Sequence, residues 1–171
     1  AEFEDGAVVA DVPCGAGLAL RGLAPGQDVR LIGVDLDPTM LDRMRAKAAA
    51  RALDQVELLE GEMRELPLPD ASADHLISFS GLHMINDPER AVAEFARVLK
   101  PGGTIVGTSF VWAGARRKRF LWKLEERRGI AVPPADAAAV ESMLAEAGFD
   151  RITVTGNGFV NFRAQLPPFH S

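Results

Sequence analysis

The residues "DVPCGAG" at 11–17 place a carboxylate, Asp11, ahead of a turn that contains Gly15 and Gly17, and a second acid, Asp35, ends another apolar run 18 residues after Gly17. Glycines at such a turn let the backbone approach a ligand closely, and the segment that follows offers unpaired N–H groups to something negative. A carboxylate at the end of the next strand can accept both hydroxyls of a ribose. Together these features point to a nucleoside-bearing cofactor. Two classes compete for the loop, dinucleotides and sulfonium nucleosides. The dinucleotide fingerprint requires a third glycine three residues after the second, where this chain has Leu20. Asp11, at the mouth of the loop, would repel a pyrophosphate but attract an ammonium or a sulfonium. S-adenosylmethionine carries both cations, and its carboxylate would face the N-terminus of the helix expected after the loop, so the loop fits that ligand better.

The same residues have plainer readings. Gly15 and Gly17 would also serve a tight turn with no ligand, and Asp35 could cap a helix beginning at 38, a role compatible with ribose binding. Cys14 reads as a small packed residue. His83, in "GLHMINDPERA", is the polar candidate for chemistry near the expected site, as general base, pocket lining or structural group. His75, His83 and His170 are scattered and Cys14 stands alone, so no metal is expected. One cysteine excludes an internal disulfide framework, and no apolar run is long enough to span a bilayer, which favours a cytoplasmic protein. A formal charge of -5 argues against a nucleic-acid surface. The basic run at 116–128 is punctuated by Glu125 and Glu126 and reads as a solvated helix face, or else as a patch for an anionic substrate or partner.

These groups need a frame that brings strand ends together. Short apolar runs alternate with segments of helical period along all 171 residues, which argues for one α/β domain of parallel strands joined by crossover helices. Strands are expected at 7–12, 30–35, 56–60, 75–80, 104–109, 151–155 and 159–166, and helices at 38–53, 87–103 and 135–149. Pro38 and Pro88 each sit at a first helical turn, where the missing N–H costs nothing. Only "GNG" at 156–158 separates the last two strands, so they should form an antiparallel hairpin.

Four segments in this order, "VADVPCGAG", "GVDLDPTML", the run from Glu60 to Gly103 and "LAEAGFDRITV", resemble the class I S-adenosylmethionine-dependent methyltransferases, in particular the small-molecule branch similar to the ubiquinone-biosynthesis enzymes. The resemblance implies a Rossmann-like doubly wound sheet of seven strands, five parallel plus a C-terminal antiparallel hairpin, in the order 3-2-1-4-5-7-6. It implies that Asp11, Gly15 and Gly17 hold the methionine part of S-adenosylmethionine, that Asp35 binds the ribose hydroxyls and that Leu36 lies against the adenine. Glu62 and the backbone of Met63 match the position that reads the adenine amino group, where the family more often has Asp. Phe79 and Ser80 would line the reactive end, and His83 matches a position that carries the general base in some O-methylating members. Pro13 replaces a common glycine and removes one backbone donor without blocking the turn.

The activity so implied is methyl transfer to a small-molecule acceptor by in-line displacement, with S-adenosylhomocysteine as product. Because the sulfonium is already a good leaving group, such a protein need supply mainly alignment and a dry pocket. A cofactor-binding protein without transferase activity and a macromolecule methyltransferase are the other readings. The family usually has a helical segment before the first strand, so its lid over the cofactor is expected to be missing here. Residues 110–134 are the candidate substrate cap, with Phe110, Trp112, Phe120, Leu121 and Trp122 lining an apolar pocket or an ordinary core.

Overall fold

A computed structural model describes residues 3–112 and 134–168. Runs rich in Val, Ile and Leu form the inner parallel strands, covered on both faces and so without a polar alternation, whereas the last strand, Phe159–Gln165, alternates exposed and buried residues. The strands are β1 (Ala7–Asp11), β2 (Val29–Asp35), β3 (Val56–Glu60), β4 (Ala73–Phe79), β5 (Leu99–Phe110), β6 (Asp150–Asn157) and β7 (Phe159–Gln165). They make one sheet in the order β3-β2-β1-β4-β5-β7-β6. The first five are parallel, and β7 runs antiparallel to both β5 and β6. This is the sheet expected from the sequence, strand for strand.

Three helices cover it: α1 (Pro38–Ala50), α2 (Pro88–Val98) and α3 (Ala137–Glu146). Each begins where an aspartate accepts a hydrogen bond from a backbone N–H of the first turn, Asp37 from Thr39, Asp87 from Arg90 and Asp136 from Ala139. The cap of α1 is therefore Asp37, which leaves Asp35 to other work. Leu41, Met44 and Ala48 of α1 pack with Leu20 and Leu31 on one face of the sheet. Val92 and Phe95 of α2 pack with Val140 and Leu144 of α3 on the other. Phe95 is fully buried, and truncating it to alanine would cost about 3–5 kcal/mol.

Two expectations need correction. No α-helix follows the glycine loop; the chain makes only a short 3-10 turn, Ala19–Gly22, because Gly22 and the "PG" at 25–26 stop the segment after one turn. The segment at 87–103 is helical only to Val98, and β5 starts at Leu99, taking in the "KPGG" that reads as a helix stop. In the hairpin, Gly156 lies at φ +112 and a Cβ there would collide with the Phe159 carbonyl oxygen, so glycine is required.

Candidate active site

β1 and β4 are neighbours whose connections leave in opposite directions, so their carboxyl ends open a cleft at the switch point of the sheet. A cavity of about 610 Å3 occupies it. Asp11, Gly15, Gly17, Asp35, Leu36, Glu62, Met63, Phe79 and Ser80 all line this cavity, whereas His83 stands outside its wall, on the same turn as Met84, which does line it.

The loop after β1 is held on both sides by the ends of its neighbours. Val12 N–H donates to Ile77 O at 2.8 Å and Cys14 N–H to Val34 O at 2.9 Å. Gly15 N–H donates to Asp35 Oδ2 at 2.8 Å, and Asp37 N–H donates to Oδ1 of the same carboxylate at 2.9 Å. Asp35 thus ties the loop to the start of α1 while each of its oxygens keeps lone-pair capacity for a further donor. Gly15 lies at φ +50 with open space where a Cβ would be. Gly17 lies at φ +83, and a Cβ there would come to 2.8 Å from Leu20 Cδ1 and 3.0 Å from Met44 Cγ. The two glycines differ: one leaves room at the cavity, the other lets the loop pack on α1.

Asp11 is 2 % exposed and its Oδ2 has no hydrogen-bond partner. Burial, and then repulsion from Asp35, push its carboxyl up to about 8. An isolated buried carboxylate is unfavourable, and a cation delivered to it would relieve that cost. Burial, with Asp11 and Asp35 adding to it, pushes the Cys14 thiol up to about 12, so this residue is packed and protonated.

On the far side, Glu62 is bound by the Arg64 guanidinium, with Nε at 2.9 Å, and this hydrogen bonding holds its carboxyl below the usual carboxylate range. Arg64 also donates from Nη1 to Asn86 O at 3.3 Å, joining the loop after β3 to the loop after β4. Sequence reasoning missed Arg64, for its role appears only once those loops are adjacent. It also missed Leu18, Met84, Met40 and Lys47, which line the cavity. Lys47 Nζ donates to Ala16 O at 2.6 Å. Met40, Met44 and Lys47 follow a helical stripe that could have been found. Leu18, Leu36 and Met84 are each more than half exposed at the cavity rim, an unusual exposure for large apolar side chains.

His83 Nδ1 accepts a hydrogen bond from Phe110 N–H at 3.2 Å. Its ring meets Phe110 edge-on with centroids 4.9 Å apart, and Phe110 meets Phe159 in the same manner, also at 4.9 Å. Burial lowers the pKa of His83, which favours the neutral ring. Of the candidate cap, Phe110 ends β5 and Trp112 N–H donates to Pro134 O at 2.9 Å; Phe120, Leu121, Trp122 and the basic run lie outside the described residues, as does His170. Among the described residues, no group of His, Cys, Asp and Glu has the make-up to hold a metal ion, and no helix is long and apolar enough to cross a membrane.

A family model described as a methyltransferase domain matches residues 10–107, more than half of the chain. The chain belongs to the class I S-adenosylmethionine-dependent methyltransferases. Demethylmenaquinone methyltransferase of Bacillus cereus is 35% identical over 108 residues, a region covering 61% of this chain and 45% of that protein. The chain thus matches less than half the length of such curated relatives. Among solved structures, the [4+2]-cyclase SpnF is similar with a TM-score of 0.81 at 20% identity, covering 98% of this chain and 77% of that one. The phosphoethanolamine N-methyltransferase 2 of Haemonchus contortus, in complex with S-adenosyl-L-methionine, has a TM-score of 0.80 at 16% identity and covers 97% and 50%. At these identities the two structures speak for the methyltransferase fold alone.

Proposed function

We propose that this methyltransferase domain binds S-adenosylmethionine in the cavity at the β1–β4 switch point and transfers its methyl group to a small-molecule acceptor. The observation that carries the reading is the buried Asp11 Oδ2, which has no partner in a cavity also lined by Asp35. A cationic amino-acid nucleoside suits both acids, where a pyrophosphate would meet the Asp35 carboxylate and bring no cation to the buried Asp11. When bound, the cofactor would supply an electrophilic methyl, which an acceptor's lone pair would take as the carbon–sulfur electron pair returned to sulfur, with S-adenosylhomocysteine as the other product.

The chain's own residues do the holding. Asp11 would take the ammonium, and the space at Gly15 would admit the methionine part. Asp35 would accept the ribose hydroxyls through its remaining lone pairs, while Leu36 would cover the adenine. Glu62, already oriented by Arg64, and the Met63 backbone would meet the adenine amino edge. Phe79 and Ser80 would border the reactive end. A rim of Leu18, Leu36 and Met84 suits an apolar small acceptor, and one similar protein is named for demethylmenaquinone. A cytoplasmic setting is part of the reading and agrees with a chain whose one cysteine is a free, buried thiol.

Fold alone does not guarantee transfer. The reading is tested by calorimetric titration with S-adenosylmethionine and, separately, NAD, on wild type, Asp35→Asn and Asp35→Ala. The expected result is binding of the sulfonium nucleoside alone, weakened by Asp35→Asn and lost in Asp35→Ala. Binding of NAD, or of neither ligand, would count against it.

A further inference from the structure

We infer that His83, Phe110 and Phe159 form an acceptor subsite that takes a flat apolar ring bearing an oxygen, with His83 donating a hydrogen bond to that oxygen through Nε2. The inference rests on the methyl-transfer reading for its biological meaning, but its geometry stands apart from the cofactor cavity.

Three residues far apart in sequence meet here for topological reasons. β7 lies antiparallel beside β5 with Phe159 opposite Phe110, so both rings sit at the carboxyl end of β5. β4 ends at Phe79, one residue before Ser80 N–H donates to Thr108 O. The next N–H of β5 on that side, Phe110, finds no strand and is taken by His83 Nδ1. Phe110 is 52 % exposed and Phe159 40 %, two large rings on the side of β7 where Asn161 and Arg163 are open to solvent as well. Met84, the neighbour of His83 on the same turn, lines the cofactor cavity, as does Ser80 after β4, whereas the three ring residues do not.

The hydrogen bond fixes the chemistry of the histidine. An accepting Nδ1 carries no proton, so in the neutral ring the proton is on Nε2. The lone pair a general base would use is already engaged by Phe110 N–H. What the ring can offer a ligand is an N–H. Edge-to-face aromatic pairs at this spacing leave faces and edges suited to a further flat ring. A single donor beside such a surface orients a ligand by its oxygen, and so makes His83 a positioning residue for an oxygen-bearing aromatic acceptor, the pocket-lining role among the three that the sequence allows.

The test uses 1-naphthol as probe, 1-methylnaphthalene as the ring without oxygen, and the variants His83→Gln, His83→Ala and Phe159→Leu, each checked for an unchanged melting temperature. Gln keeps an N–H near the position of Nε2 but cannot act as a base. By ligand-observed NMR, 1-naphthol is expected to bind wild type and His83→Gln alike and His83→Ala about tenfold more weakly, the loss of one hydrogen bond. Phe159→Leu should weaken both probes, and 1-methylnaphthalene should not distinguish the His83 variants. A long-range 1H–15N spectrum should show His83 protonated at Nε2 and bare at Nδ1. No binding of 1-naphthol, equal binding by His83→Ala, a loss in His83→Gln as large as in His83→Ala, or a proton on Nδ1 would overturn the inference. Affinity for S-adenosylmethionine, measured on the same variants, should not change. If that cofactor fails to bind wild type while 1-naphthol behaves as expected, the methyl-transfer reading fails and the subsite stands.

Discussion

Around the glycine loop the polar groups are tied to one another by short hydrogen bonds, Gly15 and Asp37 to Asp35 and Lys47 to Ala16, and its glycines adopt conformations that few other residues tolerate. The wall built from His83, Phe110 and Phe159 has one such bond and otherwise ring edges, half-open to solvent. The first region is preformed for a ligand of fixed charge pattern. The second offers shape and apolar surface, which many rings can use. A methyltransferase fold that keeps its cofactor and changes its acceptor would place its constraints in this way, with function carried by side chains grafted on a common frame.

The sharpest way to break the contrast is at Asp35. Asp35→Ala removes the acceptor of Gly15 and Asp37 N–H and should lower affinity for S-adenosylmethionine by more than about 100-fold, roughly two charge-assisted hydrogen bonds, while leaving 1-naphthol binding intact. If both ligands are lost together, the two regions are one cooperative unit. The next effect belongs to Asp11 in the ligand-free protein. Its folded pKa of about 8 lies above the ordinary 3.8, so the folded state holds the extra proton between those values. Stability should therefore fall as pH rises from about 4 to 8 and then level off, with a slope approaching ~1.4 kcal/mol per pH unit. Urea titrations across this range should show the slope, and Asp11→Asn should flatten it. A smaller loss is expected for Gly17→Ala, about 1–2 kcal/mol from its left-handed backbone and its contact with Leu20, read as a drop in melting temperature. Gly15→Ala, with open space around it, should cost less stability but hinder cofactor binding. Smallest of all, Phe159→Leu should leave cofactor affinity within about twofold of wild type, since its ring packs on Phe110 and does not line the cofactor cavity.

The same contrast explains what the sequence made legible. Asp11, Gly15, Gly17 and Asp35 lie at the ends of two consecutive strands, so short-range pattern is enough to bring them together, whereas the strand order follows from the resemblance to the methyltransferase family. The helix expected after the loop does not form because Gly22 and "PG" at 25–26 outweigh the apolar start of that segment. Arg64 and Phe159 could not be singled out alone: one acts across two loops, the other gains its neighbour from the return of β7 along β5.

The central claim is that a buried, protonated acid waits in this cavity for a cation. It is tested most directly by titrating the protein with S-adenosylmethionine at pH 7 in buffers of different ionisation enthalpy. Because the Asp11 carboxyl is raised to about 8 in the free protein, binding should release close to one proton, and Asp11→Asn should bind more weakly and release none. Tight binding without proton release, or release unchanged in Asp11→Asn, would contradict the account.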